Sequence, residues 1–378
     1  MKIAIIGTTS ASLLNFRKEL IISLISLGHI VYCFSIDYTE KSKLEVSKLG
    51  AIPIEYQLSR AGLNPFSDIK NTYTLYKLLK KNDIDLSLSY FSKPAIFGTI
   101  AAKLACIPQI YAMLEGLGFC FTEQKTGLTL KTKFIKYIQV LLYKIALPLS
   151  DGLILLNKDD KKDLVERYKI KTDVFIWGGI GLDINQYKKS DIIINDKISF
   201  LFMGRLLKEK GIFEYIHAAE KIKNKYPNIE FIVLGDIDKD NPGSLTRKEL
   251  DDLIEKKIIT YPGHVDNVID WLNKSHVFVL PSYREGLPRS TQEAMAIGRA
   301  IITTDVPGCR DTVYDKENGL LVKPWSSDEL ASKMEYLINN KSEIIRMGNK
   351  SHNYAKERFD QKITNEKILN YMKIRNKI

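Results

Sequence analysis

Two α/β domains, each a parallel sheet covered by helices on both faces, are the architecture this sequence predicts. Two observations predict it. The chain opens with Lys2-Ile3-Ala4-Ile5-Ile6-Gly7, a short apolar run ending in glycine, and the same device returns as Ile198-Ser199-Phe200-Leu201-Phe202-Met203-Gly204. After each run come a segment with helical spacing and then a second apolar strand, the alternation expected of sheets buried on both faces. A chain of 378 residues is comfortable for two such domains and long for one.

The elements follow in order. In the first half, the strand ending at Gly7 leads to helical spacing over 15–27, a strand over 29–35 and a fourth apolar strand over 86–90. Residues 175–183 are glycine-dense and residues 188–196 polar, which places a linker there and a cleft between the domains. In the second half, the strand at 198–204 is followed by a helix from 212 to about 226, strands over 229–234 and 276–280, and a helix beginning near Arg289. Residues 342–378 read as Lys- and Glu-rich helices with no further strand. The expected organisation is therefore a Rossmann-like domain over 1–185, a second over 186–355, and a terminal helix over 356–378 that packs back on the first.

Composition narrows the function. Hydrophobic residues at 45% and charged residues at 27% exclude a disordered tail and a collagen-like fibre. The opening MKIAIIG is broken too soon by Gly7 for a signal peptide, and no charge-free apolar run reaches the roughly 18 residues of a membrane span. Cys33, Cys106, Cys120 and Cys309 are far apart with no CxxC pair, so a disulfide framework or zinc site is not expected and a reduced, cytoplasmic setting is. Fifty-six Lys and Arg against 45 Asp and Glu leave +11, of which +8 lies in residues 1–150. A surplus of that size favours an anionic partner: nucleic acid, a phosphorylated substrate or an acidic membrane.

Two segments of the second half carry chemistry. Gly204-Arg205-Leu206-Leu207-Lys208-Glu209-Lys210-Gly211 joins a strand to a helix, so Arg205 and Lys210 project at the carboxyl edge of the sheet, where open α/β folds bind ligands. Two cations beside a helix N-terminus suit a diphosphate; taken alone, the octapeptide reads equally as a solvated loop. Glu285-Gly286-Leu287-Pro288-Arg289-Ser290-Thr291-Gln292-Glu293 follows the strand at 276–280. It sets one carboxylate before a helix and one within it, with the helix N–H groups between them. Paired carboxylates accept from the hydroxyls of sugar and ribose; taken alone, the segment reads more simply as an acidic residue favouring the helix dipole and a surface glutamate.

Together these motifs resemble the donor domain of glycosyltransferase family 4, retaining nucleotide-sugar transferases with the two-domain B-type fold. Further similarity runs through Tyr261-Pro262-Gly263-His264-Val265, Asp305-Val306-Pro307-Gly308 and Asn318-Gly319-Leu320-Leu321-Val322. The resemblance implies that Arg205 and Lys210 meet the diphosphate, Glu285 the transferred sugar and Glu293 the ribose. It also implies that Gly263, His264 and Val265 lie against the base, and that Gly7 faces the donor from the first half. Pro288 has no N–H, so Gly286, Leu287, Arg289 and Ser290 are left to contact sugar and phosphate. Asp236-Ile237-Asp238 imitates a metal-binding pair but sits in turn-forming sequence, and no metal or other cofactor is expected. Gly7 with Asp37 imitates a nicotinamide site but lacks the second and third glycines.

The first half is expected to bind the acceptor. Asn15 and Arg17 at the start of the first helix, and Lys93 after the fourth strand, resemble a subgroup that builds bacterial surface polysaccharide on polyprenyl diphosphate. Each also reads as an ordinary exposed polar or cationic residue. Glu115, in Glu115-Gly116-Leu117-Gly118-Phe119, stands where many members of the family place a histidine; it suits either a catalytic carboxylate or a loop cap. Over 126–147, Leu130, Phe134, Ile138, Leu141 and Ile145 share a narrow helical face, with Lys125, Lys133, Lys136 and Lys144 opposite. That pattern fits a core helix with a solvated lysine face, or in-plane attachment to the anionic inner face of the plasma membrane. The expected activity is transfer of a hexose or N-acetylhexosamine from a UDP-sugar to a polyprenyl-diphosphate-linked saccharide, with an α-linkage and without metal. A nucleotide-sugar epimerase of the same fold is the alternative. A nucleic-acid-binding protein ranks below both, because the charge is not gathered on a recognition helix.

Overall fold

A computed structural model gives the fold and describes residues 1–59, 64–194, 197–239 and 241–374. Asn195 and Asp196 of the expected linker, Asp240 of the turn sequence and residues 375–378 of the terminal segment lie outside that range. The chain divides into two compact units. One comprises Met1–Cys120, Thr129–Ile180 and Lys362–Ile378, the other Phe121–Leu128 and Gly181–Gln361.

The first unit is built on a seven-stranded parallel sheet: β1 (Lys2–Ile6), β2 (Ile30–Ser35), β3 (Ile52–Glu55), β4 (Leu86–Tyr90), β5 (Gln109–Leu114), β6 (Gly152–Leu155) and β7 (Val174–Ile176). Their order is β3-β2-β1-β4-β5-β6-β7. The direction of winding reverses between β1 and β4, and a crevice opens at the carboxyl ends of strands at such a switch point. β1, β4 and β5 are almost wholly buried, as their continuous apolar runs require.

The first helix starts earlier than its apolar spacing suggests. The Thr9 side chain accepts from the Ser12 N–H, so helix begins at Ser10; its turns widen into a π-helical stretch over Leu13–Arg17 and return to α geometry over Lys18–Ser26. A second π-helical stretch, Pro94–Gly98, follows β4. π-Helical turns carry an extra residue that shifts the face presented by the helix, and they recur at functional sites. Gly7 is required by close approach: a Cβ there would run into the phenol ring of Tyr90. The far end of the chain closes this unit. Trp177 Nε1 donates to the Thr364 carbonyl at 2.8 Å, and the Tyr371 ring stacks on Phe175 at 4.5 Å.

The second unit has a six-stranded parallel sheet: β8 (Ser199–Met203), β9 (Glu230–Leu234), β10 (Thr260–Gly263), β11 (Val277–Leu280), β12 (Ala300–Thr304) and β13 (Gly319–Val322). The order β10-β9-β8-β11-β12-β13 puts its switch point between β8 and β11. Phe200 and Phe231 stack at 5.5 Å in its core, with Tyr215 edge-on to Phe231. Buried Arg299 donates to the carbonyls of Ser190 at 2.8 Å and Ser275 at 3.0 Å, fastening the polar stretch after the glycine-rich segment onto this unit. Burial lowers the Arg299 guanidinium to about 10.

Candidate active site

The loop after β8 reaches its helix through a tight turn. Gly211 takes a left-handed conformation (φ 76°) ahead of the helix Ile212–Lys225, and a Cβ there would strike the Pro281 carbonyl. That close approach sets Lys210 over the loop that follows β11. Lys210 Nζ donates to Glu285 Oε1 at 2.6 Å, and Ser282 Oγ donates to the same oxygen at 2.7 Å. The Glu285 N–H is fixed on the Pro307 carbonyl at 3.0 Å. With side-chain exposures of 25% and 12%, the pair is partly sheltered from water, so its attraction exceeds that of a surface ion pair. Cys309 is buried nearby; burial, with the Glu285 charge adding, pushes its thiol up to about 12 and keeps it neutral.

Arg205 leaves the same loop but holds a different carboxylate. Its Nη1 donates to Asp238 Oδ2 at 3.0 Å, and its side chain is 62% exposed. Asp238, read from sequence as part of a solvated turn, is thus a partner of a candidate site residue. Asp236 faces His264 Nδ1 at 3.6 Å. Among the described residues no cluster of three or more His, Cys, Asp or Glu is arranged to hold a metal ion. Arg205, Asp236, Asp238 and His264 line a cavity of about 530 Å³, whose apolar walls come from Met203, Leu234, Val265 and Val268. Its size and its mix of apolar walls with a few polar groups suit a small-molecule site. Gly263 (φ 87°) leads into its rim.

Glu293 lies on the helix Arg289–Ile297, which Pro288 opens without a side-chain cap. Glu293 Oε1 accepts from Tyr187 Oη at 2.9 Å and from Arg289 Nε at 3.0 Å. Tyr187 was not singled out in the sequence; burial raises its phenol well above the ordinary range, and the Glu293 charge adds to the effect. Ser290 sits half-buried in the first turn, Leu287 is buried with its carbonyl accepting from Gln292 Nε2 at 3.2 Å, and the Gly286 carbonyl packs against Gly308.

In the first unit, two of the expected acceptor cations are not open. Arg17 is fully buried and ion-paired with Glu115, which the sequence had treated as a separate feature. Lys93 Nζ donates to both carboxylate oxygens of Asp68 at 3.0 Å and also to Ser59 Oγ. The alternative reading of each as an ordinary exposed cation is corrected on these points: each is engaged by a carboxylate brought in by a neighbouring element. Asn15 is exposed. The helix Leu130–Ala146 buries Thr132, Val140, Tyr143 and Ala146. Its apolar stripe therefore faces outward, with Leu130 at 84% and Phe134 at 63% exposure and Tyr137, Leu141 and Ile145 also exposed. Among the described residues no helix is long and apolar enough to cross a membrane.

Residues 183–358 match the family described as glycosyl transferases group 1, and residues 2–151 match the one described as glycosyl transferase 4-like. The chain is 28% identical to the N,N'-diacetylbacillosaminyl-diphospho-undecaprenol alpha-1,3-N-acetylgalactosaminyltransferase of Campylobacter jejuni, covering 98% of this chain and 97% of that one. It is 27% identical to the UDP-Gal:alpha-D-GlcNAc-diphosphoundecaprenol alpha-1,3-galactosyltransferase of Escherichia coli, over 72% and 71% of the two chains. The fold is also that of Anabaena HepE, solved with UDP (TM-score 0.76, 17% identity, 99% and 100% covered). Sucrose-phosphate synthase from Thermosynechococcus elongatus shares it too (TM-score 0.79, 17% identity, 99% and 98% covered). The two named relatives are transferases, and the epimerase alternative gains no support from them.

Proposed function

The chain belongs to the glycosyltransferase family that joins a 4-like first half to a group 1 second half, and on that premise we propose that it moves a hexose or N-acetylhexosamine from a UDP-sugar to a polyprenyl-diphosphate-linked saccharide, with retention, in cell-surface glycan synthesis. The observation that carries the reading is the Lys210–Glu285 pair beside the first turn of the helix Arg289–Ile297. A bound diphosphate would share Lys210 with Glu285 and take the N–H groups of that first turn, which have no acceptor within the helix. Arg205 and Lys210 then stabilise charge as it develops on the departing UDP, a contribution that grows in the transition state. The acceptor oxygen forms its bond to the anomeric carbon on the face that UDP leaves. The bond from that carbon to the diphosphate breaks, and the acceptor proton passes to the departing phosphate oxygen.

Glu285 would hold the transferred sugar and Glu293 the ribose, with Gly263, His264, Val265 and the adjoining cavity around the base. Gly286, Leu287, Arg289 and Ser290 would complete the contacts. In the first unit, Glu115 would orient the acceptor hydroxyl, and Asn15 and Lys93 would flank the acceptor; Gly7, packed against Tyr90, would face the donor. The outward stripe of the helix Leu130–Ala146, with Lys133 and Lys144 exposed beside it, would lie on an anionic leaflet at the cytoplasmic side of the membrane.

With two cations assigned to the leaving group, no ion has a Lewis-acid role. Transfer in excess EDTA should stay within about twofold of the untreated rate. Complete loss restored by Mn²⁺ or Mg²⁺ would overturn the metal-free reading and bring Asp236 and Asp238 back as ligands.

A further inference from the structure

Arg17 is an unusual core residue. Its guanidinium is wholly buried, 4.6 Å from the centroid of Tyr90 and 5.8 Å from that of Trp177. Nη1 donates to the Phe16 carbonyl at 2.9 Å, and Nη2 reaches Met113 Sδ at 3.3 Å and pairs with Glu115 Oε1. Nε is buried with no partner. For stability alone this is a poor use of the space, because buried ion pairs are commonly matched or bettered by apolar side chains of similar volume. A flat guanidinium can stack on rings while its fork grips a carboxylate, which an ammonium cannot do. Glu115, at the carboxyl end of β5, keeps its side chain 12% exposed, whereas Tyr90, Met113 and Trp177 are buried.

We propose that Arg17 is a positioning residue for Glu115. Its Nη2 holds Oε1 and so leaves Oε2 presented as an acceptor for the hydroxyl of the incoming saccharide. The extra residue of the π-helical stretch Leu13–Arg17 sets Arg17 inward, and the hydrogen bond from Trp177 to Thr364 steadies one wall of its cage. The inference rests on the reading of Glu115 given above.

The test uses the full chain, UDP-galactose or UDP-N-acetylgalactosamine, whichever it turns over, and an N-acetylhexosamine-diphospho-undecaprenol acceptor. Arg17 and Tyr90 face Glu115. Burial raises the Tyr90 phenol far enough to keep it neutral through the assay range. Arg17→Lys, whose ammonium has no planar fork, is the first variant. The same variant should lose at least about tenfold in kcat at neutral pH with the donor KM within about twofold, and Glu115→Gln should lose about a hundredfold. Arg17→Met combined with Glu115→Gln, which buries no unpaired charge, should be no slower than Glu115→Gln alone.

Glu115→Gln at the wild-type rate would remove the reading of Glu115 itself. Glu115→Gln slow, with Arg17→Lys at the wild-type rate, would overturn the positioning role and leave Glu115 in place. Recovery of the wild-type rate in the double variant would also overturn it, since the pair would then serve only the fold.

Discussion

Glu285 has two donors on one oxygen, Lys210 and Ser282, and this shapes what substitution should do. Lys210→Ala leaves the Ser282 bond in place, so the loop should keep its form while the leaving group loses its cation. Glu285→Ala leaves Lys210 free to bind diphosphate but removes the contact to the sugar. We expect each variant to lose about a hundredfold or more in kcat, equivalent to about 3 kcal/mol of transition-state stabilisation. Melting temperature should fall by only a few degrees, since neither residue belongs to the hydrophobic core. Turnover near wild type in either variant would remove the pair from the chemistry. At this scale the two cations and the two carboxylates could be singled out in the sequence, because each pair lies along its own short strand–turn–helix path. Tyr187 on Glu293 and Arg17 on Glu115 were not. Their partners lie about a hundred residues away, and only sheet order and chain packing bring them together.

The helix Leu130–Ala146 shows what periodicity can and cannot decide. Its pattern identifies an apolar stripe with lysines set opposite, but an amphipathic segment does not reveal which face the rest of the protein covers. Here Thr132, Val140, Tyr143 and Ala146 turn inward, and the more hydrophobic stripe of Leu130, Phe134, Leu141 and Ile145 is left facing out. Exposed Leu and Phe side chains of this kind can each contribute about 1.5–3 kcal/mol when they enter an apolar phase, and each lysine near an anionic leaflet about 1 kcal/mol. We therefore expect Leu130→Ser with Phe134→Ser to weaken co-sedimentation with vesicles rich in acidic lipid at any salt concentration. Lys133→Glu with Lys144→Glu should weaken it strongly at low salt and less at high salt, where screening shortens the field. Both pairs lie on the exposed face, so circular dichroism should be unchanged. Vesicle binding equal to wild type in both pairs would mean that this face serves something other than lipid. The other local departure, the first helix starting at Ser10, came from the Thr9 cap and the widened turns that follow it, neither of which apolar spacing records.

Across the whole molecule, the recurrence of an apolar run ending in glycine was enough to foresee two parallel sheets, because buried strands between helices leave a strong pattern. Each sheet places its switch point at the strands that begin the pattern, β1 with β4 and β8 with β11, and the candidate residues leave the carboxyl ends of these strands or of their neighbours. The chain thus joins a unit bearing Glu115 to one bearing Lys210, Glu285 and Glu293, and the account assigns acceptor to the first and donor to the second. The most direct measurement incubates the purified chain with N-acetylhexosamine-diphospho-undecaprenol and, in separate reactions, the UDP derivatives of galactose, glucose, N-acetylgalactosamine and N-acetylglucosamine. Mass analysis of the lipid and of the nucleotide then reads each reaction. The account predicts that the lipid gains a single sugar residue, that free UDP appears in equal amount, and that an α-specific glycosidase removes the added sugar. A lipid of unchanged mass with every donor, or a UDP-sugar converted to its epimer without transfer, would contradict it.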